Sequence, residues 1–149
     1  MKNICLLLIV LTLSSFACAQ KNDDTLFVAH WNVENLFDTT DDPKTSDEEF
    51  LPSGAKEWND ERLDKKMYNL SRVIRSMNND KGPDLLGVCE VEHQTLLDTM
   101  ITKYLSDKFY KTAYLESMDG RGIDNGIIYD SQKFSLLKVK GHRVDVGSE

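Results

Sequence analysis

Residues 84–93 read Asp-Leu-Leu-Gly-Val-Cys-Glu-Val-Glu-His (DLLGVCEVEH), a run that stays apolar or small from 85 to 89 and then meets its first polar side chain at Glu90. A short unbroken run of this kind reads as a strand covered on both faces. Gly82-Pro83 breaks the chain just before it. Upstream, residues 25–31 (TLFVAHW) form a second such run, and it too ends in a polar residue, Asn32. Between the two, Asn59 or Asp60 can cap a helix in which Leu63, Met67, Leu70, Ile74 and Met77 recur at steps of three and four, giving one buried stripe. That helix is expected to stop near Asn78-Asn79. Downstream, Leu97, Met100, Ile101, Tyr104 and Leu105 mark one side of a second helix. Residues 109–115, 127–129, 134–139 and 143–146 then read as strands separated by glycine-containing turns. Strand, helix, strand, helix and a series of strands predict a layered α/β domain.

The whole chain has 149 residues, 40% of them hydrophobic, which is globular rather than disordered composition. No solenoid, collagen or heptad repeat is present. Residues 4–13 are almost all aliphatic, follow Lys2, and lead to Ala17-Cys18-Ala19, the small-x-small pattern of a signal-peptidase site. The run is too short for a spanning helix, which needs about 20 apolar residues. Residues 1–19 are therefore expected to be a signal peptide, and the protein to be exported, periplasmic or secreted. Cys18 as a lipid-modified first residue is the minor alternative, because residues 15–17 (SFA) lack the usual aliphatic residue three places before it. Cleavage after Ala19 removes 19 residues and one lysine, leaving 130 residues and changing the net charge from −7 to −8. Only Cys89 would then remain, which excludes an intramolecular disulfide. A domain of this size buries a core without staples.

An acidic chain is poorly placed for non-specific DNA binding, which depends on Lys and Arg releasing counterions. Carboxylates that hold a divalent cation escape that objection, since the cation meets the phosphate. Asn32 and Glu90, each the first polar residue after a buried run, are candidates for such a site at strand ends. A carboxylate beside an amide offers hard oxygen ligation, and magnesium needs only one or two such ligands. The stretch 38–49 carries six acidic residues among Thr, Ser and Pro43 and reads as a solvated loop. It lacks the glycine and glutamate spacing of a calcium loop.

Residues 31–38 (WNVENLFD), 84–93 (DLLGVCEVEH) and 121–130 (RGIDNGIIYD) together resemble the endonuclease/exonuclease/phosphatase family of metal-dependent phosphodiesterases, in its exported bacterial endonuclease-like branch. Glu49-Phe50-Leu51-Pro52, Trp58 and the Lys65-Lys66 helix fit the same branch. The resemblance implies a two-sheet sandwich flanked by helices, a four-layer α/β fold, with residues 20–149 forming its N-terminal part. It implies that Glu90 binds the metal, with Mg²⁺ expected and Mn²⁺ or Ca²⁺ as alternatives. Asn32 matches the asparagine that contacts the scissile phosphate or the metal's waters. Arg121 is a further catalytic candidate, since a guanidinium binds two phosphate oxygens at once, although a solvated loop arginine between Gly120 and Gly122 is an equal reading. Asp124 could accept from Arg121 or cap the turn. The expected partner is a phosphodiester substrate, nucleic acid foremost, with no membrane span and no protein partner.

The departures are equally specific. Cys89 stands where the family often has Gln, and it reads as core. The family's later Asp-x-Asn and Ser-Asp-His motifs do not occur in the sequence. His30 reads as a core residue, His93 as facing the site or as a loop residue, and His142 as a residue between strands. Glu34 and Glu92 either widen the negative surface or face solvent. The chain reaches Glu149 without a terminating element, so a truncated, catalytically inactive piece of low stability is expected, with an apolar sheet face and an unpaired edge exposed. The alternatives are a phospholipid or inositol-phosphate phosphodiesterase or phosphatase of the same family, which the negative charge favours, and a non-catalytic exported binding module.

Overall fold

A computed structural model describes residues 25–142. The expected signal peptide at 1–19, the Cys18 alternative and the expected strand at 143–146 lie outside the described residues. Four strands form one sheet: β1 (Val28–Leu36), β2 (Leu85–Val91), β3 (Tyr110–Leu115) and β4 (Asp124–Asp130), in the order β1-β2-β4-β3. β1 runs parallel to β2, while β4 is antiparallel to both β2 and β3. A parallel pair needs a long crossover, and here it contains α1 (Asp60–Ser76). The second helix, α2 (Gln94–Tyr104), joins β2 to β3.

Each helix boundary has a local cause. The Asn59 side chain accepts from the Arg62 N–H at 3.1 Å, capping α1, and Asp60 and Glu61 in the first turn favour the positive end of the helix dipole. Beyond α1, Asn78, Asn79 and Asp80 take left-handed backbone angles and reverse the chain. Gly82 follows at φ +82°, where an added Cβ would lie 2.2 Å from the Tyr110 hydroxyl. That hydroxyl donates to the Pro83 carbonyl at 2.9 Å, so the glycine lets β3 anchor the turn ahead of β2.

Both helices lie on the same side of the sheet. Leu36, Leu86, Val88, Val91 and Ile128 from the strands meet Met67, Leu70, Ile74, Leu97 and Met100 from the helices in one core. The opposite face is open in part: Val28 is 62% exposed, His30 is exposed, and Leu85, Gly87 and Cys89 are half-buried. Among the described residues no helix is long and apolar enough to cross a membrane.

The α/β class and the helix layer follow the sequence expectation, with four differences. The 25–31 segment was expected to be covered on both faces, whereas β1 is covered on one, and His30 is an exposed residue rather than a core one. β1 and β2 continue past Asn32 and Glu90, to Leu36 and Val91. Residues 134–139 form no strand and pair with none among the described residues; Phe134 and Leu136 instead line a hollow on the open face with Leu85 and Tyr129. The second sheet of the expected sandwich is not among the described residues.

Leu97 is fully buried, and its Cδ1 would be 2.8 Å from a Cβ placed on Gly126 of β4. Leu97→Ala should lower the unfolding free energy by about 2–5 kcal/mol, read as a lower urea midpoint at an unchanged slope. A loss below about 1 kcal/mol would show that α2 does not pack on the sheet in this way.

Candidate functional site

The β1–β2 ladder runs in register from Val28↔Leu85 to Asn32↔Cys89 and resumes at Leu36↔Val91, with an irregularity between. β2 and β4 are irregular at the same place, between Cys89 and Val91. Glu34, Asn35 and Glu90 all adopt positive φ, at 57°, 61° and 64°. Left-handed backbone at three non-glycine residues is unfavourable and needs support from the surroundings. A bulge also redirects a side chain out of strict alternation.

Side chains supply the support. Asn32 Nδ2 donates to Glu90 Oε1 at 2.7 Å, and the Asn35 N–H donates to Glu90 Oε2 at 3.1 Å. The Glu34 N–H donates to Asn32 Oδ1 at 2.7 Å, closing a local turn. Asn32 and Glu90 are thus brought together, one exposed and the other half-buried. The two hydrogen bonds to the Glu90 carboxylate come from neutral donors, and the charges of Lys66 and Arg121 act on it from nearby. A partly exposed carboxylate held this way suits a hard divalent cation that keeps its waters. Of the Asn32 amide, the nitrogen faces Glu90 and the oxygen faces the Glu34 N–H.

Arg121 sits in the loop before β4 and is paired with Asp119 through Nη2–Oδ2 at 2.9 Å and Nε–Oδ1 at 3.1 Å. This pairing draws the Asp119 carboxyl down to about 2, and the negative charge of Glu90 also acts on the guanidinium. Asp124 does not accept from Arg121. Its Oδ1 takes the Ser117 N–H at 2.7 Å and its Oδ2 lies 3.1 Å from the Tyr114 hydroxyl, so it fixes the loop that carries Arg121. Cys89 is half-buried, with Sγ 4.0 Å from the Trp31 carbonyl. A cleft of about 500 Å³ beside Asn32 is lined by Trp31, Trp58, Arg62, Lys65, Lys66 and Asn69, among others. Lys66 donates to the Glu34 carbonyl and lies 5.8 Å from the Trp58 ring centroid.

Two acidic residues behave otherwise than the sequence suggests. Asp47, in the stretch read as a solvated loop, is 1% exposed, and Glu92 is 2% exposed. Glu92 Oε2 accepts the Asp38 N–H at 2.7 Å, and Asp38, Glu92 and His93 offer ligand atoms within 4.8 Å of one another. Phe50 stacks on Phe37 with ring centroids 4.1 Å apart, and Trp58 Nε1 donates to the Phe37 carbonyl at 3.0 Å, so the acidic stretch is folded down onto the sheet end. The apolar residues Phe50, Leu51 and Trp58 among so many charges were the available signal. Burial raises the Glu92 carboxyl to about 7, with the charges of Asp38 and Asp47 adding to the effect, while the Asp38 N–H and His93 oppose it.

A family model described as "Endonuclease/Exonuclease/phosphatase family" matches residues 27–148. No curated protein and no solved structure matches the chain.

Because the Glu92 carboxyl is raised on folding from an ordinary value of 4.5 to about 7, its neutral form favours the folded state. Its contribution is fully present below about 4.5 and is lost as pH rises through about 7, an effect on the order of 3 kcal/mol. Glu92→Gln should therefore flatten the stability of the metal-free protein over that window. Urea midpoints of both proteins at about pH 5 and about pH 8 check this; parallel pH dependence of the two would overturn it.

Proposed function

The chain belongs to the endonuclease/exonuclease/phosphatase family, and on that premise we propose that it is the metal-holding part of an exported phosphodiester hydrolase acting on nucleic acid. The observation that carries the proposal is the Asn32–Glu90 hydrogen bond across two strand irregularities, which holds a half-buried carboxylate in place with neutral donors on both its oxygens. Glu90 would hold the ion, Mg²⁺ with Mn²⁺ or Ca²⁺ as substitutes, and Asn32 would fix the carboxylate and face the ion's waters or the phosphate. Such an ion, when bound, polarises the phosphoryl oxygen and offsets charge on the leaving group.

The protein's own contribution is placement. The Asn32 amide and the Asn35 N–H hold both Glu90 oxygens, so the carboxylate is oriented before any ligand arrives. Arg121 would exchange Asp119 for a phosphate, which offers its fork the same bidentate geometry. The cleft beside Asn32 combines Arg62, Lys65 and Lys66 with Trp58, the mix of cations and an aromatic ring that suits a nucleic-acid strand better than a lipid headgroup. No general base is assigned, because neither the Asp-x-Asn nor the Ser-Asp-His motif occurs in the sequence. Export is proposed from the leader pattern of residues 1–19.

Binding and turnover should therefore separate. Calorimetric titration of the purified chain should show Mg²⁺ or Mn²⁺ binding that Glu90→Gln weakens at least about tenfold, since removing even an indirect metal partner costs that much. A labelled oligonucleotide and a phospholipid vesicle offered with Mg²⁺ should both stay intact. Unchanged metal affinity in Glu90→Gln would overturn the metal assignment. Cleavage of either substrate that Glu90→Ala abolishes would overturn the separation of binding from turnover and show that a base is present among these residues, and lipid cleavage would also replace the nucleic-acid reading.

A further inference from the structure

Resting on the reading of this site as a nucleic-acid phosphodiester hydrolase, we infer that the cleft between β1 and α1 binds one unpaired nucleotide of the substrate, next to the phosphate at Asn32 and Glu90, so that the substrate is single-stranded. Three observations carry it. Among the described residues β1 is an edge strand, and the cleft beside it, about 500 Å³, is bounded by Asn32 at the site and reaches Val73 of α1. That is room enough for a nucleotide-sized ligand. Both tryptophans of the sequence, Trp31 and Trp58, line the cleft, and each is half-buried. Arg62, Lys65 and Lys66 line it together with a single carboxylate, Glu34, so the cleft is net positive in a chain of −7.

The ring is fixed before a ligand arrives. Trp58 Nε1 donates to the Phe37 carbonyl at 3.0 Å, and Phe50 meets the indole at 83° with centroids 6.3 Å apart. Stacking on a ring already held in place costs little ordering entropy. Lys66 donates to the Glu34 carbonyl and stands 5.8 Å from the Trp58 centroid, tying the strand to the ring. Arg62 donates to the Lys56 and Glu57 carbonyls, which holds its charge beside the loop that carries Trp58. Lys65 is exposed and forms no ion pair among the described residues, so its ammonium is left for a phosphate. The bases of a duplex are already paired and stacked, and a duplex would offer this cleft phosphates alone. An unpaired nucleotide offers a base face to Trp58 and a phosphate to Lys65 together. A lipid headgroup brings the phosphate and leaves the rings unused.

Binding is measured on the purified chain with chelator present, so that neither metal at Glu90 nor turnover enters the readout. Both tryptophans lie in the cleft, and their fluorescence therefore reports on it directly. A mixed-sequence single-stranded oligonucleotide should change that fluorescence to saturation, and a duplex of the same length should bind at least about tenfold more weakly. By anisotropy of the labelled strand, Trp58→Leu should weaken binding at least about fivefold and Trp58→Phe should restore most of it. Lys65→Ala should lower the slope of log affinity against log salt by about 0.7, the loss of one single-strand phosphate contact. Lys111→Ala, an exposed change on β3 at the far edge of the sheet, should leave the slope as it is. Lys65→Ala also serves as the second variant should the Trp58 variants fail to fold. Equal affinity for duplex and single strand overturns the inference, as does unchanged binding in both Trp58→Leu and Lys65→Ala. Tighter binding of phosphatidylglycerol vesicles than of the oligonucleotide overturns it in favour of a lipid. A failed metal titration at Glu90 and a failed strand preference in chelator are separate results, so the two readings fall independently.

Discussion

A single hydrogen bond, Asn32 Nδ2 to Glu90 Oε1, joins the two places where the central strands depart from regular pairing. Between their paired positions β1 advances from Asn32 to Leu36 while β2 advances only from Cys89 to Val91, so β1 must take up extra chain. It does so at Glu34 and Asn35 in left-handed backbone, and β2 accommodates with Glu90 in the same region. Each such residue costs on the order of 1–3 kcal/mol unless the surroundings impose it. The two donors on Glu90 and the Glu34–Asn32 turn are what impose it here, and the sheet on either side keeps its register. Strain is thus concentrated where a carboxylate is presented to solvent.

That arrangement requires a rigid frame, and the topology provides one. A parallel β1–β2 pair cannot be closed by a short turn, so the crossover through α1 is obligatory, and its apolar stripe of Met67, Leu70 and Ile74 presses on the same sheet face as Leu97 and Met100 of α2. Val33, Leu36 and Val91, which alternate with the site residues, are buried in that core. Opposing sides of the same strands therefore do opposite work: one side locks the backbone and the other holds the polar groups. The same alternation explains the half-covered face, where Val28 and His30 reach solvent beside Asn32.

Asn32 and Glu90 could be read from the sequence because a polar residue after an apolar run marks where a strand's chemistry changes. Their geometry could not, because left-handed backbone at Glu and Asn carries no glycine to announce it. Residues 134–139 show the converse limit. Their apolar residues match a strand, but a strand exists only with a hydrogen-bonded partner, and pattern cannot supply one. Asp47 was hidden by its neighbours: charge density implies solvent on average, whereas the Phe37–Phe50 stack and the Trp58 bond fold this part of the loop inward. Asp124 was legible as a turn-forming residue, but only the structure shows that it holds Ser117 while Asp119 holds Arg121.

Glu90 and Glu92, two residues apart, show why net charge was a poor guide to chemistry in a chain of −7. Both carboxylates belong to the Cys89-Glu90-Val91-Glu92 stretch, yet one is half-buried with two neutral donors and the other is 2% exposed among acidic groups. Burial beside Asp38 and Asp47 opposes the ionisation of Glu92, whereas the Glu90 carboxylate is held in place by two hydrogen bonds at the half-buried strand end. Val91, fully buried between them, separates the two environments by anchoring the strand to the core. The acidic balance of the sequence is then the sum of sites with different electrostatic requirements, and a phosphodiester would meet whatever Glu90 holds rather than the average surface.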